Sequence, residues 1–211
     1  MIRIAVSVEG ITEKEFCNNV LKPYFEEFGV QLVPIIIETS RKRSGKKYCG
    51  GDVKISKIIK EVNRLLSSFD YVTTLYDFYG FKGNWQTVDE IENKLLNQVS
   101  SHRFIPYIQK YEFETFLFSK PEYFKEVFNQ GIFNEIDKIV KQFPNIEDIN
   151  NSFQTAPSKR IEKIFYNNNE KYDKVFYGSS IAEDIGLDTL RQKVKRFDKW
   201  LKKLEGLINK K

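Results

Sequence analysis

Ile2-Arg3-Ile4-Ala5-Val6-Ser7-Val8-Glu9-Gly10-Ile11-Thr12-Glu13 opens the chain, and the reading of this stretch decides the fold. Ile2 to Val8 alternates and then runs apolar before stopping at Glu9-Gly10, the pattern of a buried strand closed by a turn. Thr12 is the predicted N-cap of a helix, with Glu15 three residues on to complete a capping box. Across 13–28 the apolar residues Phe16, Val20, Leu21, Tyr24, Phe25 and Phe28 recur at helical spacing, and Gly29 ends the run.

The same alternation of elements continues outward. Residues 31–37 are β-branched and apolar, a second strand; 40–52 form a basic, glycine-bearing loop. Val53, Ile55, Ile58, Ile59, Val62, Leu65 and Leu66 make a helical stripe, and 71–76 a third strand ending at Asp77. Phe78 to Gln86 reads as a loop, after which Thr87 caps a helix. Residues 104–108 form a fourth strand that leads into Tyr111-Glu112-Phe113-Glu114-Thr115-Phe116-Leu117-Phe118. The order β-α-β-α-β-α-β predicts an α/β fold: a mainly parallel sheet with helices on both faces. Beyond Pro121 the pattern is helical, at 122–128, 133–143, 158–166, 171–185 and 188–208. The division is therefore expected near Lys120-Pro121, with an α/β domain over 1–120 and a helical C-terminal part over 121–211 packed on it.

Composition narrows the class. Among 211 residues, 15% are aromatic against a single Met, so rings must fill much of the core. No apolar run approaches the roughly 18 residues that cross a bilayer, and the first residues lack a signal-peptide pattern. A cytoplasmic protein without a membrane partner is expected. Cys17 and Cys49 do not form a metal-binding pair, and spacing alone leaves one disulfide open. One histidine, His102, in a predicted surface loop, gives little support to a zinc site or a Ser-His-Asp triad.

The net charge of +5 is unevenly placed: residues 191–211 carry nine Lys/Arg against Asp198 and Glu205, and the remainder is slightly acidic. Arg41, Lys42, Arg43, Lys46 and Lys47 form a second basic cluster. Such patches suit phosphate backbones. A solvated helix face accounts for the tail equally well, whereas the glycines around the loop cluster favour function there.

The acidic residues carry the chemistry. Ligands of open α/β sheets gather at the carboxyl ends of strands. Glu9 ends the first strand, Asp77 ends the third, and Glu112 and Glu114 follow the fourth. If 111–113 is extended, Glu112 and Glu114 point to one side. A single strand-end carboxylate is more often a helix cap or a loop acid, but four at consistent strand ends favour a shared cation. Hard oxygen ligands prefer Mg²⁺ or Mn²⁺, and phosphoryl transfer is the chemistry that uses them. Lys159 and Arg160, near a helix start with Thr155 as its cap, suit phosphate or a solvated face equally. Lys174 is a weaker candidate for a transition-state cation, and Trp85 and Trp200 read as core or interface residues.

Val8-Glu9-Gly10-Ile11-Thr12-Glu13-Lys14-Glu15-Phe16, Thr74-Leu75-Tyr76-Asp77-Phe78-Tyr79-Gly80 and Tyr111–118 together resemble the Toprim fold. More closely, they resemble a bacterial Toprim-like family related to the OLD-type nucleases of phage defence. Thr155-Ala156-Pro157-Ser158-Lys159-Arg160 and Phe197-Asp198-Lys199-Trp200-Leu201 extend the likeness across nearly the whole chain. The resemblance implies a Rossmann-like Toprim sheet and cleavage of nucleic-acid phosphodiesters with Mg²⁺ or Mn²⁺. It also implies that Glu9 is a metal ligand or general base, that Asp77 is the first aspartate of a D-x-D pair, and that Glu114 is a third acidic residue with Glu112 beside it. Glu13 matches a second motif glutamate, although a helix-start charge explains it equally. Tyr79 departs from the pattern by replacing the second aspartate. An ATPase partner and a homodimer are compatible with the resemblance, as is a non-catalytic role in binding nucleic acid or an ATPase. A dinucleotide site is disfavoured, because the first turn reads Glu9-Gly10-Ile11-Thr12 and not G-x-G-x-x-G.

Overall fold

The computed structural model describes residues 1–37, 40–41, 47–48, 53–150 and 152–208. Two compact units emerge, Met1–Gln109 with Trp200–Lys211, and Lys110–Lys199. The chain thus divides after Gln109, not at Lys120-Pro121, and its last residues belong with its first.

The first unit is the α/β part. Strands β1 (Ile2–Val8), β2 (Val30–Ile36), β5 (Tyr71–Asp77), β6 (Phe104–Ile105) and β7 (Ile108–Gln109) form one sheet in the order β2-β1-β5-β6, with β7 also on β5. Every pairing in it is parallel. Pro34 sits on β2, an end strand of that order, where a missing N–H is tolerated. The 2-residue strands β3 (Ser40–Arg41) and β4 (Lys47–Tyr48) pair separately and antiparallel.

Sequence chemistry explains two departures from expectation. The first helix is α1 (Ile11–Phe16), a π segment (Cys17–Leu21) and α2 (Lys22–Glu26), because Pro23 has no N–H to continue the ladder. The expected fourth strand is split into β6 and β7 at Pro106-Tyr107. There Thr74 substitutes for the interrupted ladder: its hydroxyl donates to Tyr107 O at 2.9 Å, and Tyr107 N donates to Thr74 Oγ1 at 2.9 Å. Helices α3 (Ile55–Leu65) and α4 (Val88–Val99) bury Ile58, Val62, Leu65, Ile91 and Leu95 against Ala5, Val72 and Tyr76. As expected, Thr87 caps α4 through its hydroxyl, which accepts from Glu90 N.

The second unit is helical: a 3₁₀ helix (Phe113–Ser119), α5 (Pro121–Val127), α6 (Gln130–Val140), α7 (Pro157–Asn167), α8 (Lys174–Ile185) and α9 (Leu187–Lys193). Helix α10 (Lys195–Glu205) begins in this unit and ends in the first. Phe113, Phe116, Phe124, Phe165 and Phe197 are fully buried, which meets the expectation of a ring-filled core. Phe116 stands edge-on to Phe113 at 5.1 Å and to Phe197 at 4.9 Å. On α10, Lys195, Lys199, Lys202 and Lys203 are exposed and Arg196 is half-buried, while Phe197, Leu201 and Leu204 are buried.

Glu147 is 3% exposed and accepts hydrogen bonds from Lys195 N at 2.9 Å and Arg196 N at 3.2 Å. It satisfies the otherwise orphaned amides at the start of α10 with a charged acceptor. Glu147→Ala is expected to lower stability by about 2–3 kcal/mol, the scale of a lost charge-assisted bond plus its stranded donors. Chemical denaturation at neutral pH checks it, and a change below about 0.5 kcal/mol would remove Glu147 from this role.

Candidate functional site

Glu9 directly succeeds β1, and Asp77 is the last residue of β5. Val8 is in register with Leu75, so both acids leave the carboxyl ends of neighbouring parallel strands, the ligand-gathering end of such sheets. Asp77 is 8% exposed and Glu9 is half-buried. The chain turns after Asp77 through a 3₁₀ segment (Phe78–Gly80), and Gly80 lies directly against the Glu9 carboxylate. A Cβ on Gly80 would stand 2.5 Å from Glu9 Oε2 and 3.1 Å from Oε1. Oε2 of Glu9 and Oδ1 of Asp77 are buried atoms without a hydrogen bond, although each residue has other interactions.

The helix start beside Glu9 differs from the capping box expected at Thr12. Gly10 is the N-cap, and its N–H donates to Glu13 Oε2 at 2.8 Å. Glu13, buried, acts as the helix-start charge, and the Gly10 amide is engaged with it.

Glu112 and Glu114 belong to the second unit. An extended 111–113 segment, with both acids to one side, does not form. Tyr111 adopts φ +63°, a left-handed conformation that costs a non-glycine residue about 1–2 kcal/mol. Glu112 is then the N-cap of the 3₁₀ helix, and Glu114 lies in its first turn. The tight helix buries every residue of Phe113-Glu114-Thr115-Phe116-Leu117-Phe118. Glu112 Oε2 accepts from Ser158 N at 2.8 Å, at the start of α7. Glu114 is 0% exposed, with Oε2 3.2 Å from Lys174 Nζ and Oε1 buried without a hydrogen bond. The Tyr172 hydroxyl is likewise buried without one. Tyr172 and Gly80 escaped sequence reasoning, because burial and close approach leave no local pattern.

Burial pushes the Glu114 carboxyl above its ordinary value of 4.5, with Lys174 pulling the other way. A carboxyl raised on folding binds its proton more tightly in the folded state. Its stabilising contribution is complete below about pH 4.5 and is lost as pH rises through the folded value. Glu114→Gln is expected to flatten the decline in melting temperature above pH 4.5 relative to wild type. Parallel pH profiles for the two proteins would contradict this.

The remaining candidates are more dispersed. Lys159 pairs with Glu162 at 2.8 Å, while Arg160 Nε donates to Thr155 O at 2.8 Å and its guanidinium lies over Phe143 at 5.6 Å. Ala156, not Thr155, is the N-cap of α7. Arg41 and Lys47 are register partners in β3 and β4, whereas Lys42, Arg43, Lys46 and Cys49 lie outside the described residues. Cys17 is free, and burial pushes its thiol up. His102 is exposed, as expected for a loop residue.

Hard carboxylate oxygens at two adjacent strand ends suit Mg²⁺, which is commonly held by one or two carboxylates with water and phosphate oxygens completing the shell. Among the described residues, no group of three or more His, Cys, Asp or Glu is arranged to hold a metal ion. A cation held by Glu9 and Asp77 alone would have to keep much of its hydration shell.

Residues 8–205, nearly the whole chain, match the family model described as Domain of unknown function (DUF4276). This chain belongs to the DUF4276 family. A solved structure similar to this DUF4276 protein is the C-terminal region of the Xanthomonas campestris pv. campestris OLD protein, at 16% identity, covering 96% of this chain and 98% of that one. Its TM-score is 0.40, and at that level the likeness says nothing of chemistry. No curated protein matches the DUF4276 chain. No helix among the described residues is long and apolar enough to cross a membrane.

Proposed function

We propose that this protein cleaves nucleic-acid phosphodiester bonds with Mg²⁺ or Mn²⁺. The observation that carries the reading is the placement of Glu9 and Asp77 at the ends of adjacent parallel strands, with Gly80 against the Glu9 carboxylate. The motif resemblance to Toprim nucleases supports it from the sequence side.

A bound divalent cation supplies water activation and neutralises charge developing on the phosphate. Glu9 and Asp77 would hold it. Their partial burial keeps competing water away and strengthens their field. Glu9 is also suited to take a proton from an attacking water, since the chain's one histidine, His102, is an exposed loop residue. In the second unit, Glu114 is proposed as a further acid required for cleavage, with Glu112 beside it and Lys174 held by Glu114. The loop cations Arg41, Lys42, Arg43, Lys46 and Lys47 are proposed to track the phosphate backbone, and Lys159 and Arg160 to add to that attraction.

A second reading is a non-catalytic protein that binds nucleic acid or an ATPase partner in phage defence. Tyr79 in place of a second aspartate, and the lack of a three-acid group among the described residues, favour it. Incubation of plasmid DNA and of single-stranded DNA and RNA with the protein, with Mg²⁺, Mn²⁺ or chelator, separates the two. Cleavage that chelator stops is the expected result. Binding that weakens steeply with salt, with no cleavage under either ion, would establish the second reading instead.

A further inference from the structure

Gly80 is held from behind. Its carbonyl accepts from Val53 N at 2.9 Å, and Val53 forms a bridge with Phe81. Phe81 packs edge-on to Tyr76 at 6.2 Å, and the Tyr76 hydroxyl lies 2.6 Å from Ser7 Oγ on β1. Val53 is 1% exposed, Phe81 9% and Tyr76 0%, so the turn is braced by a filled core. The Glu9 carboxylate, by contrast, is the far end of a flexible side chain. A methyl at Gly80 would have to displace one of the two, and the carboxylate yields more cheaply than a packed core.

Gly80 has no need of glycine for its backbone conformation: among the described residues, Gly29, Gly83 and Gly186 are the glycines with positive φ. What the position requires is the absence of a side chain. We propose that Gly80 is a positioning residue: the bare backbone of the turn after Asp77 sets where the Glu9 carboxylate stands, and so couples the two strand ends into one cation-binding geometry. The functional half of this inference rests on the proposed metal-dependent reading.

The test is calorimetric titration of Mn²⁺ into wild type, Gly80→Ala, Glu9→Gln and the double variant, with melting of each measured in metal-free buffer. Gly80→Ala is expected to melt close to wild type yet bind Mn²⁺ about tenfold more weakly, the scale seen when a group that orients a ligand is altered. In the Glu9→Gln background the same change should weaken binding no further. Equal Mn²⁺ affinity in wild type and Gly80→Ala would overturn the positioning role while leaving the metal reading intact. Wild type that binds no Mn²⁺ would overturn both. Loss of the fold in Gly80→Ala would also contradict the inference, by showing that the turn gives way and not the carboxylate.

Discussion

Asp77→Asn is expected to reduce metal-dependent cleavage at least about a hundredfold, the scale of removing one charge-stabilising group from a preorganised site. The substitution keeps the size and removes the negative charge. Asp77 closes β5, where a carboxylate is 8% exposed at the end of a strand already paired on both sides. Asparagine fills the same space, so the melting temperature in metal-free buffer should change little or rise. Rates measured at saturating Mn²⁺ decide the matter. A variant that unfolds would point to a structural role for Asp77, and one that cleaves at the wild-type rate would remove it from the site.

Trp200→Ala is expected to be the most destabilising of the core changes. Trp200 is 2% exposed, stacks on Tyr107 at 4.6 Å with the rings 10° apart, and donates from Nε1 to Thr73 Oγ1 at 2.7 Å. All three residues belong to the first unit, and Trp200 is where the end of the chain rejoins its beginning. Truncation leaves a large cavity and removes the donor to Thr73 Oγ1, while the Thr73 hydroxyl keeps its own bond to Ile105 O. The expected cost is about 3–5 kcal/mol, or roughly 10 °C in melting temperature for a chain of this size. Trp200→Phe restores most of the volume but not the N–H, and should recover about half of the loss. Denaturant midpoints for the three proteins check this; a Trp200→Ala midpoint within error of wild type would contradict the packing described.

Much of the first unit was legible in the sequence. The apolar run that closes Ile2–Val8 and the stop at Asp77 express strands buried on both faces, the β-branched run before Ile37 a partly buried end strand, and in each the sequence pattern reports burial directly. Pro23 and Pro106 were visible but their consequences were not. A missing N–H interrupts a ladder, and whether a π turn or a threonine hydroxyl repairs it depends on neighbours distant in sequence. Tyr111–Phe118 misled for a related reason. A short apolar run fits a strand or a fully buried helix equally, and only packing around Phe113 and Phe116 decides. The same limit applies to Glu112, Glu114 and Gly80. Their partners, Ser158, Lys174 and Glu9, lie 46, 60 and 71 residues away in the chain, beyond the reach of any local pattern.

Thermal melting of wild type and Asp77→Asn, with and without millimolar Mg²⁺ or Mn²⁺, tests most directly whether the strand-end acids grip a cation. A ligand bound only by the folded state adds about 2.7 kcal/mol at a hundred times its dissociation constant. The wild-type transition should therefore rise with metal, and that of Asp77→Asn should stay where it is. A wild-type transition indifferent to both ions would show that no cation is held there.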